Sequence, residues 1–333
     1  MNVRRRLIPT ATLAGALTLG MVALSACSSS ETGGKSRDGK LAVVASFYPM
    51  EYLAQQIGGD HVSVTTLTKP GVEPHDLELK PRQAAQLGEA DVILYLKGIQ
   101  PAVDKAIDQS GAKTVIDATA LTTLENHGTE TGHDHGHDGD HAGEAATDEA
   151  DHGHEESDTD GKDPHIWLDP VRFAEVAQGV GASLEKADPD HAAAYKKNTS
   201  ALVTKLNGLN TSFKKDLADT GTKTFITTHA AFGYLAERYG LEQEAIAGID
   251  PESEPSPARV KELETIAKRD KVTTVFFETL ASDKTARTVA GDSGLRTDVL
   301  DPIEGITDKT RGRDYIEVMR SNLAALRTAL GAK

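Results

Sequence analysis

Leu41 to Thr68 reads LAVVASFYPMEYLAQQIGGDHVSVTTLT, and this stretch indicates the fold class. It begins with a short apolar run of the buried-strand type, Leu41–Ser46. A helical pattern follows to about Ile57, and the residues then alternate with strand period over Val62–Thr68. A strand, a helix and a second strand in this order are typical of a parallel sheet covered by helices.

The same alternation continues outward from this stretch. In the first half of the chain we predict further strands at Asp91–Leu96 and Thr114–Ala118, with helices that open at Pro81 and Pro101. In the second half we predict strands at Thr224–Thr228, Glu244–Ile249, Thr273–Glu278 and within TDVLDP, and helices over Ala230–Gly240, Pro257–Arg269, Ser282–Ala290 and Gly312–Leu330. The pattern predicts an α/β fold with two lobes, each with a mostly parallel sheet flanked by helices.

A helical region separates the two alternating halves. Apolar residues recur at spacings of three, four and seven from Tyr195 to Leu217, which predicts a rigid helix roughly 40 Å long that joins the lobes. A break is expected near residues 187–189. The predicted organisation is a signal peptide at 1–26, a flexible tether at 27–39, an N-terminal lobe at 40–169 with a disordered loop at 126–163, linking helices at 170–219 and a C-terminal lobe at 220–333.

The N-terminus has the features of an export signal. Three arginines at 4–6 precede an apolar run that is too short to span a bilayer comfortably. Leu24-Ser25-Ala26-Cys27 resembles the bacterial lipobox, which implies a lipid on Cys27 and an extracytoplasmic protein anchored to the cell membrane. Cys27 is the only cysteine, so an internal disulfide is excluded.

Residues 127–154, HGTETGHDHGHDGDHAGEAATDEADHGH, form an acidic, histidine-rich tract. The tract has no apolar residue larger than alanine, so it cannot bury enough surface to fold by itself. Its composition favours weak binding of transition metals, and the alternative is a solvated loop without function. Its seven histidines are His127, His133, His135, His137, His141, His152 and His154. The formal net charge of the whole chain is −15, and the absence of a basic patch argues against nucleic acid.

Three histidines outside the tract lie on predicted loops or strand ends. His75 follows a strand, His165 follows the tract, and His229 stands at the carboxyl end of a strand. Ligands of open α/β sheets bind outside the carboxyl ends of strands, so these imidazoles could meet between the lobes. Neutral imidazoles bind zinc, and a carboxylate as the fourth ligand would complete a tetrahedron. His61 and His191 are predicted to be surface residues.

Several motifs resemble the zinc- and manganese-binding lipoproteins of bacterial ABC transporters, the substrate-binding proteins of cluster A-I. The similarity covers nearly the whole mature chain, and the acidic tract is similar to that of the zinc-specific branch. The matching segments are GVEPHDLELKP (Gly71–Pro81), DPHIWLDP (Asp163–Pro170), THAAFGYLAERYGL (Thr228–Leu241), EPSP (Glu254–Pro257) and TTVFFE (Thr273–Glu278).

The resemblance implies a set of metal ligands. The family's histidine ligands carry over to His75, His165 and His229, and Asp301 in LDPIEG is the expected fourth ligand. Glu304 is the main alternative for the fourth ligand and Glu278 is a weaker alternative. In some members of the family water is the fourth ligand. Asp76 and Asp169 are expected either to orient ligand imidazoles or to serve as turn and helix-cap residues. Manganese-specific members usually carry an acidic residue where this chain has His229, which favours zinc.

The resemblance also implies a function. We expect a monomeric protein that is not an enzyme and that captures zinc for a membrane permease and its ATPase subunit. A zinc hydrolase is one alternative, but the sequence has no HExxH, GxSxG or P-loop motif. The other alternative is an extracellular metal buffer or adhesin in which the tract binds the metal.

Overall fold

A computed structural model of the protein describes residues 39–127 and 162–333. The signal peptide, Cys27, the tether up to residue 38 and residues 128–161, which include the tract after His127, lie outside the described residues. The prediction of an α/β fold with two parallel sheets flanked by helices is confirmed. In the described ranges no helix is both long and apolar enough to traverse a lipid bilayer.

The first sheet has four parallel strands in the order β2-β1-β3-β4. Its register pairs Leu41 of β1 with Val62 of β2 and Val43 of β1 with Val92 of β3. The apolar strand β1 is central and buried, as the continuous apolar run predicts. The elements are β1 (Leu41–Ala45), α1 (Tyr48–Gly58), β2 (Val62–Thr66), α2 (Pro81–Glu89), β3 (Val92–Tyr95), α3 (Pro101–Ser110) and β4 (Val115–Asp117).

Two helices follow the tract. They are α4 (Pro170–Ala187) and α5 (Ala192–Asp216), and Pro189 begins a short 3-10 turn between them, as the predicted break requires. At about 1.5 Å per residue, the 25 residues of α5 extend over roughly 37 Å. Because α5 packs against α1, α4 and the C-terminal helix α9 (Tyr315–Leu330), it forms the predicted long connection between the lobes.

The second sheet repeats the strand order of the first, β6-β5-β7-β8, and all its strands are parallel. The predicted strand at Glu244–Ile249 is wrong in position, because the hydrogen-bonded segment ends at Ala245. The elements are β5 (Thr224–Thr227), α6 (Gly233–Tyr239), β6 (Glu242–Ala245), α7 (Pro257–Arg269), β7 (Thr274–Phe277), α8 (Lys284–Ser293), β8 (Arg296–Val299) and α9 (Tyr315–Leu330).

One hydrophobic core extends across both lobes. It joins side chains of the first sheet, such as Leu94, with Leu206 of α5 and with Phe276 and Leu326 of the second lobe. Two smaller clusters cover the remaining face of each sheet. A shared core of close-packed side chains resists wide separation of the lobes, because separation would expose this apolar surface to water.

Candidate metal centre

Four polar side chains on separate loops converge between the lobes. His75 follows β2, and His165 stands immediately before the 3-10 helix Ile166–Leu168. His229 follows β5 and Glu304 follows β8, at the carboxyl ends of the second sheet. The topology therefore places the group where parallel sheets usually bind ligands. We call these four residues the cleft cluster.

The side chains of the cleft cluster point at a common centre. The Nε2 atoms of His75, His165 and His229 lie 3.4, 3.6 and 3.6 Å from Oε1 of Glu304. One donor atom from each residue lies within 4.8 Å of the other three. His165, His229 and Glu304 are buried, and the His75 side chain is only 9% exposed.

Five buried atoms of the cleft cluster have no hydrogen-bond partner among the described residues. They are Nε2 of each histidine and both carboxylate oxygens of Glu304. An unsatisfied buried polar group costs about 1–3 kcal/mol, so such a concentration of them requires a compensating ligand. Three imidazoles and one carboxylate form a donor set that suits a tetrahedral divalent zinc ion. The residues present therefore fit a zinc ion.

Buried carboxylates orient two of the imidazoles through their other ring nitrogen. Asp163 Oδ1 lies 2.7 Å from Nδ1 of His165, and Glu278 Oε1 lies 2.9 Å from Nδ1 of His229. Each contact directs Nε2 of the ring toward the centre, an arrangement that metal-binding histidines commonly use. Glu278, predicted as a weaker alternative ligand, thus contacts the side of His229 that faces away from the centre.

The loops that carry His75 and His165 share a local motif, Glu-Pro-His at 73–75 and Asp-Pro-His at 163–165. In each, the acidic side chain accepts a hydrogen bond from the histidine backbone, at 3.2 Å for Glu73 and at 2.9 Å for Asp163. This is a turn that short acidic side chains stabilise. The repeated spacing is the sequence signal that identifies Asp163 and Glu73, which our sequence analysis missed.

Charges inside the cleft shift the pKa values of its groups strongly. Burial would raise the pKa of Glu304, but contacts with His165, His229 and His75 outweigh it and hold that pKa well below its usual value. Burial would lower the pKa of His229, but the charge and hydrogen bond of Glu278 and the nearby carboxylate of Glu304 raise it well above the ordinary value. The cleft thus attracts cations, and without a metal it attracts protons.

The carboxylate of Asp301 lies outside the cleft cluster, and the expectation that it completes the ligand set is corrected in favour of Glu304. Asp301 Oδ2 accepts a hydrogen bond from the Thr279 hydroxyl at 2.8 Å, and Oδ1 accepts one from the Ile303 backbone at 2.8 Å. Both oxygens are therefore engaged in holding a turn. Ile303 has a φ of 61°, which is rare for a β-branched residue, and this turn presents Glu304 to the cleft.

Trp167 fixes the same turn from the opposite lobe. Its indole Nε1 donates a hydrogen bond to the Pro302 carbonyl at 2.7 Å, and its ring centroid lies 5.1 Å from that of His165. The Tyr315 hydroxyl donates to the Trp167 carbonyl at 2.5 Å. A continuous set of buried hydrogen bonds thus connects α9, the 3-10 helix and the turn that carries Glu304.

The two other acidic residues predicted near the cluster do not contact its imidazoles. Asp169 caps α4 by accepting a hydrogen bond from Val171, and it also accepts two from Arg238, so it serves as the helix cap. Asp76 is exposed, and the structure gives its carboxylate no hydrogen bond to a cleft imidazole. A role for Asp76 as an orienting residue therefore has no support in the described part of the chain.

Among the seven tract histidines only His127 belongs to the described residues. The predictions for His133, His135, His137, His141, His152 and His154 lie outside them. His127 lies beside Glu125, Glu237 and Asp163, away from the cleft centre.

A cavity of about 200 Å³ adjoins the cleft on the side of the second sheet. Glu278 lines it together with Glu252 and Glu254 of the loop before α7. The three carboxylates make this approach to His229 attractive to cations.

Comparison with known proteins identifies the family. A family model described as "Zinc-uptake complex component A periplasmic" matches residues 43–329. The chain belongs to this family. The zinc-uptake component A relatives include the high-affinity zinc uptake system protein ZnuA of Bacillus subtilis, which is 37% identical over 318 residues that cover 93% of this chain and 94% of that protein.

Other members of the zinc-uptake component A family are longer than this chain. The zinc-binding lipoprotein AdcA of Streptococcus pneumoniae is 37% identical over 309 residues, which cover 91% of this chain but only 58% of AdcA. The crystal structure of the Zn(II)-bound ZnuA-like domain of that AdcA matches with a TM-score of 0.69 and 33% identity, and the match covers 88% of this chain and 99% of the domain.

Proposed function

We propose that the protein is the extracytoplasmic zinc-binding subunit of an ABC-type importer. It captures Zn²⁺ with the cleft cluster and delivers the ion to a membrane permease that an ATPase subunit drives. The observation that carries this proposal is the convergence of three imidazole nitrogens and one carboxylate, all buried and unpartnered, on one centre. The family match and the zinc-binding relatives support zinc as the cargo.

The donor set favours zinc over manganese. Manganese prefers oxygen ligands and higher coordination numbers, whereas imidazole nitrogens suit zinc. With His229 in place of a carboxylate, the cleft cluster offers three nitrogens and one carboxylate group. We infer that zinc binds with His75, His165, His229 and Glu304 as ligands, and that Asp163 and Glu278 hold the imidazoles in position.

A binding protein fits the closed ligand set better than an enzyme does. A catalytic zinc keeps one coordination position open for water or substrate, and it needs a general base nearby. Four protein ligands fill the tetrahedron and leave no such position. The zinc is therefore the cargo of the protein.

We further propose that the mature protein is a monomer tethered to the outer face of the cell membrane by a lipid on Cys27. Because one core and the long helix α5 join the lobes, zinc enters and leaves through small loop rearrangements around the cleft. The loop before α7, which carries Glu252 and Glu254, is the segment that we expect to move.

Competitive calorimetry on the soluble chain that starts at Ser28 tests the proposal. Three proteins would be titrated with zinc and with manganese: the unmodified chain, a variant that lacks residues 127–154, and His229→Ala. We expect one tight zinc site that survives the deletion, is lost in His229→Ala and discriminates against manganese. If tight binding disappears with the deletion and is unaffected by His229→Ala, the protein is a histidine-rich metal buffer and the proposal is wrong.

A further inference from the structure

A second group of metal-binding side chains lies where the acidic tract leaves the folded lobe. Nε2 of His127 is 3.0 Å from Oε2 of Glu237 and 3.9 Å from Oε2 of Glu125. One donor atom from each of the three lies within 4.8 Å of the others. None of these residues belongs to the cleft cluster. We call this group the foot cluster.

The structure holds the His127 ring in a fixed place. The ring packs edge to face on Tyr234, with centroids 4.3 Å apart, and the side chain is 15% exposed. Gly233 makes this approach feasible, because a Cβ atom at that position would lie only 2.1 Å from Cβ of His127. A histidine that was merely solvated would need neither contact.

A fully buried carboxylate faces the other nitrogen of the His127 ring. Asp163 Oδ2 has no hydrogen-bond partner in the described part of the chain, and it lies 3.4 Å from His127 Nδ1. A carboxylate in this place fixes Nδ1 as the protonated nitrogen and leaves Nε2 as a ligand. Through its other oxygen, Asp163 orients His165 of the cleft in the same manner.

We propose that Glu125, His127 and Glu237 form a second binding site for a divalent transition-metal ion, with zinc as the expected occupant. The ion takes the position of the proton that otherwise joins Nε2 to Glu237. One oxygen of Glu125 pairs with Arg172, and the other remains available to the ion. The three ligands are not shared with the cleft cluster, so this proposal does not rest on the proposed function.

The foot cluster binds zinc more weakly than the cleft cluster. It supplies three protein ligands instead of four, and water completes the coordination shell. Its carboxylates stay accessible, because the side chains of Glu237 and Glu125 are 57% and 38% exposed. Arg172 also offsets part of the negative charge. The foot cluster is accessible and lies at the first histidine of the tract. Such a site can exchange its ion easily, which would let zinc pass between the tract and the cleft.

Zinc calorimetry on an otherwise complete mature chain tests this site. Residues 129–160 are replaced by a short Gly/Ser linker, which removes the other six tract histidines and keeps His127. The linker can close the gap because the Asp163 backbone donates a hydrogen bond to the Glu125 carbonyl at 2.9 Å. We expect two zinc ions per chain, one tight and one weaker.

Variants in the linker background assign the weaker ion. His127→Gln should remove it, and Glu237→Gln should weaken it by about 10-fold or more. His61→Gln, a matched change at a histidine outside both clusters, should leave two ions. Glu237 is exposed, so its replacement keeps the test valid even if His127→Gln perturbs folding. Binding of the tight zinc alone, or a weaker site indifferent to both substitutions, overturns the proposal. Binding of the weaker zinc alone would instead contradict the proposed function.

Discussion

The cleft cluster and the foot cluster are built on the same carboxylate but differ in what surrounds them. Asp163 contacts Nδ1 of His165 in the first and faces Nδ1 of His127 in the second. The cleft cluster adds two further imidazoles and Glu304 from three further loops, all in the interior. The foot cluster adds two exposed carboxylates. Burial and the number of converging loops, more than the type of ligand, therefore distinguish the tight zinc site expected at the cleft cluster from the weaker site proposed at the foot cluster.

The largest effect is expected from Glu304→Gln, which removes the only carboxylate of the cleft cluster. Loss of an orienting partner alone typically costs 10–100-fold in metal affinity, so loss of a ligand should cost at least about 100-fold. Competition with a chelating zinc indicator would measure it. Glu237→Gln is the control, since it should leave the tight site unchanged, and equal effects of the two substitutions would abolish the distinction between the clusters.

Asp163→Asn should weaken both clusters at once, because the two imidazoles depend on this one carboxylate. We expect zinc affinity to fall by about 10–100-fold at the tight site and to fall at the weak site as well. The matched variant is Glu278→Gln, which should affect the tight site alone through His229. Calorimetry of both variants in the linker background separates the sites, and an Asp163→Asn protein with an unaltered weak site would contradict the shared role.

Acidification should weaken the tight site by about 10-fold per pH unit for each imidazole that must release a proton. Burial would lower the pKa of His165, but the hydrogen bond with Asp163 and the nearby carboxylate of Glu304 raise it. The pKa of His229 is raised well above its ordinary value by Glu278 and Glu304. Protons therefore begin to compete with zinc for these imidazoles at a pH above that at which ordinary imidazoles titrate.

The stability of the folded metal-free protein should depend on pH in the opposite direction to its zinc affinity. A raised histidine pKa contributes stability below the unfolded value of about 6.5, and this stability is lost as the pH rises through the folded pKa. The shift of Tm caused by saturating zinc should consequently grow from pH 6 to pH 8, which thermal unfolding at several pH values would measure. A shift that is constant across this range would argue against three histidine ligands.

The smallest change in zinc affinity is expected from Asp301→Asn. Burial raises the pKa of Asp301 to about 6, and its oxygens hold the turn before Glu304. We expect the free energy of unfolding to fall by about 1–2 kcal/mol and zinc affinity to fall less than 10-fold. Urea unfolding and indicator competition would measure the two effects. A loss of zinc binding as large as that in Glu304→Gln would restore Asp301 as a ligand.

Much of the fold follows from the sequence, and part of the site does. Alternating apolar strands and helices predict both sheets, and strand ends identify His75, His165 and His229 as residues that can meet. The sequence does not show whether Asp301 or Glu304 joins the three histidines, because this depends on the direction in which a turn presents each side chain. The left-handed backbone at Ile303 turns Glu304 inward, and no local pattern predicts a positive φ at a β-branched residue.

Orienting residues were harder to predict than the metal-facing ones. Asp76 and Asp169 adjoin the histidine motifs in the sequence, but adjacent residues on a loop usually point in different directions. Asp163 and Glu73 stand two positions before their histidines, with a proline between, and this spacing lets each side chain bond back to the backbone. Glu278 comes from another strand, so only the folded sheet brings it to His229.

Trp167 is the only tryptophan of the chain, and its ring lies 5.1 Å from that of His165. The protein therefore carries a single indole fluorophore, and it lies beside a residue whose charge changes when a metal replaces a proton. Indole emission responds to nearby charge and polarity, and no other tryptophan contributes background. The arrival and departure of the ion can thus be followed optically in the unlabelled protein, in real time and in the presence of the tract.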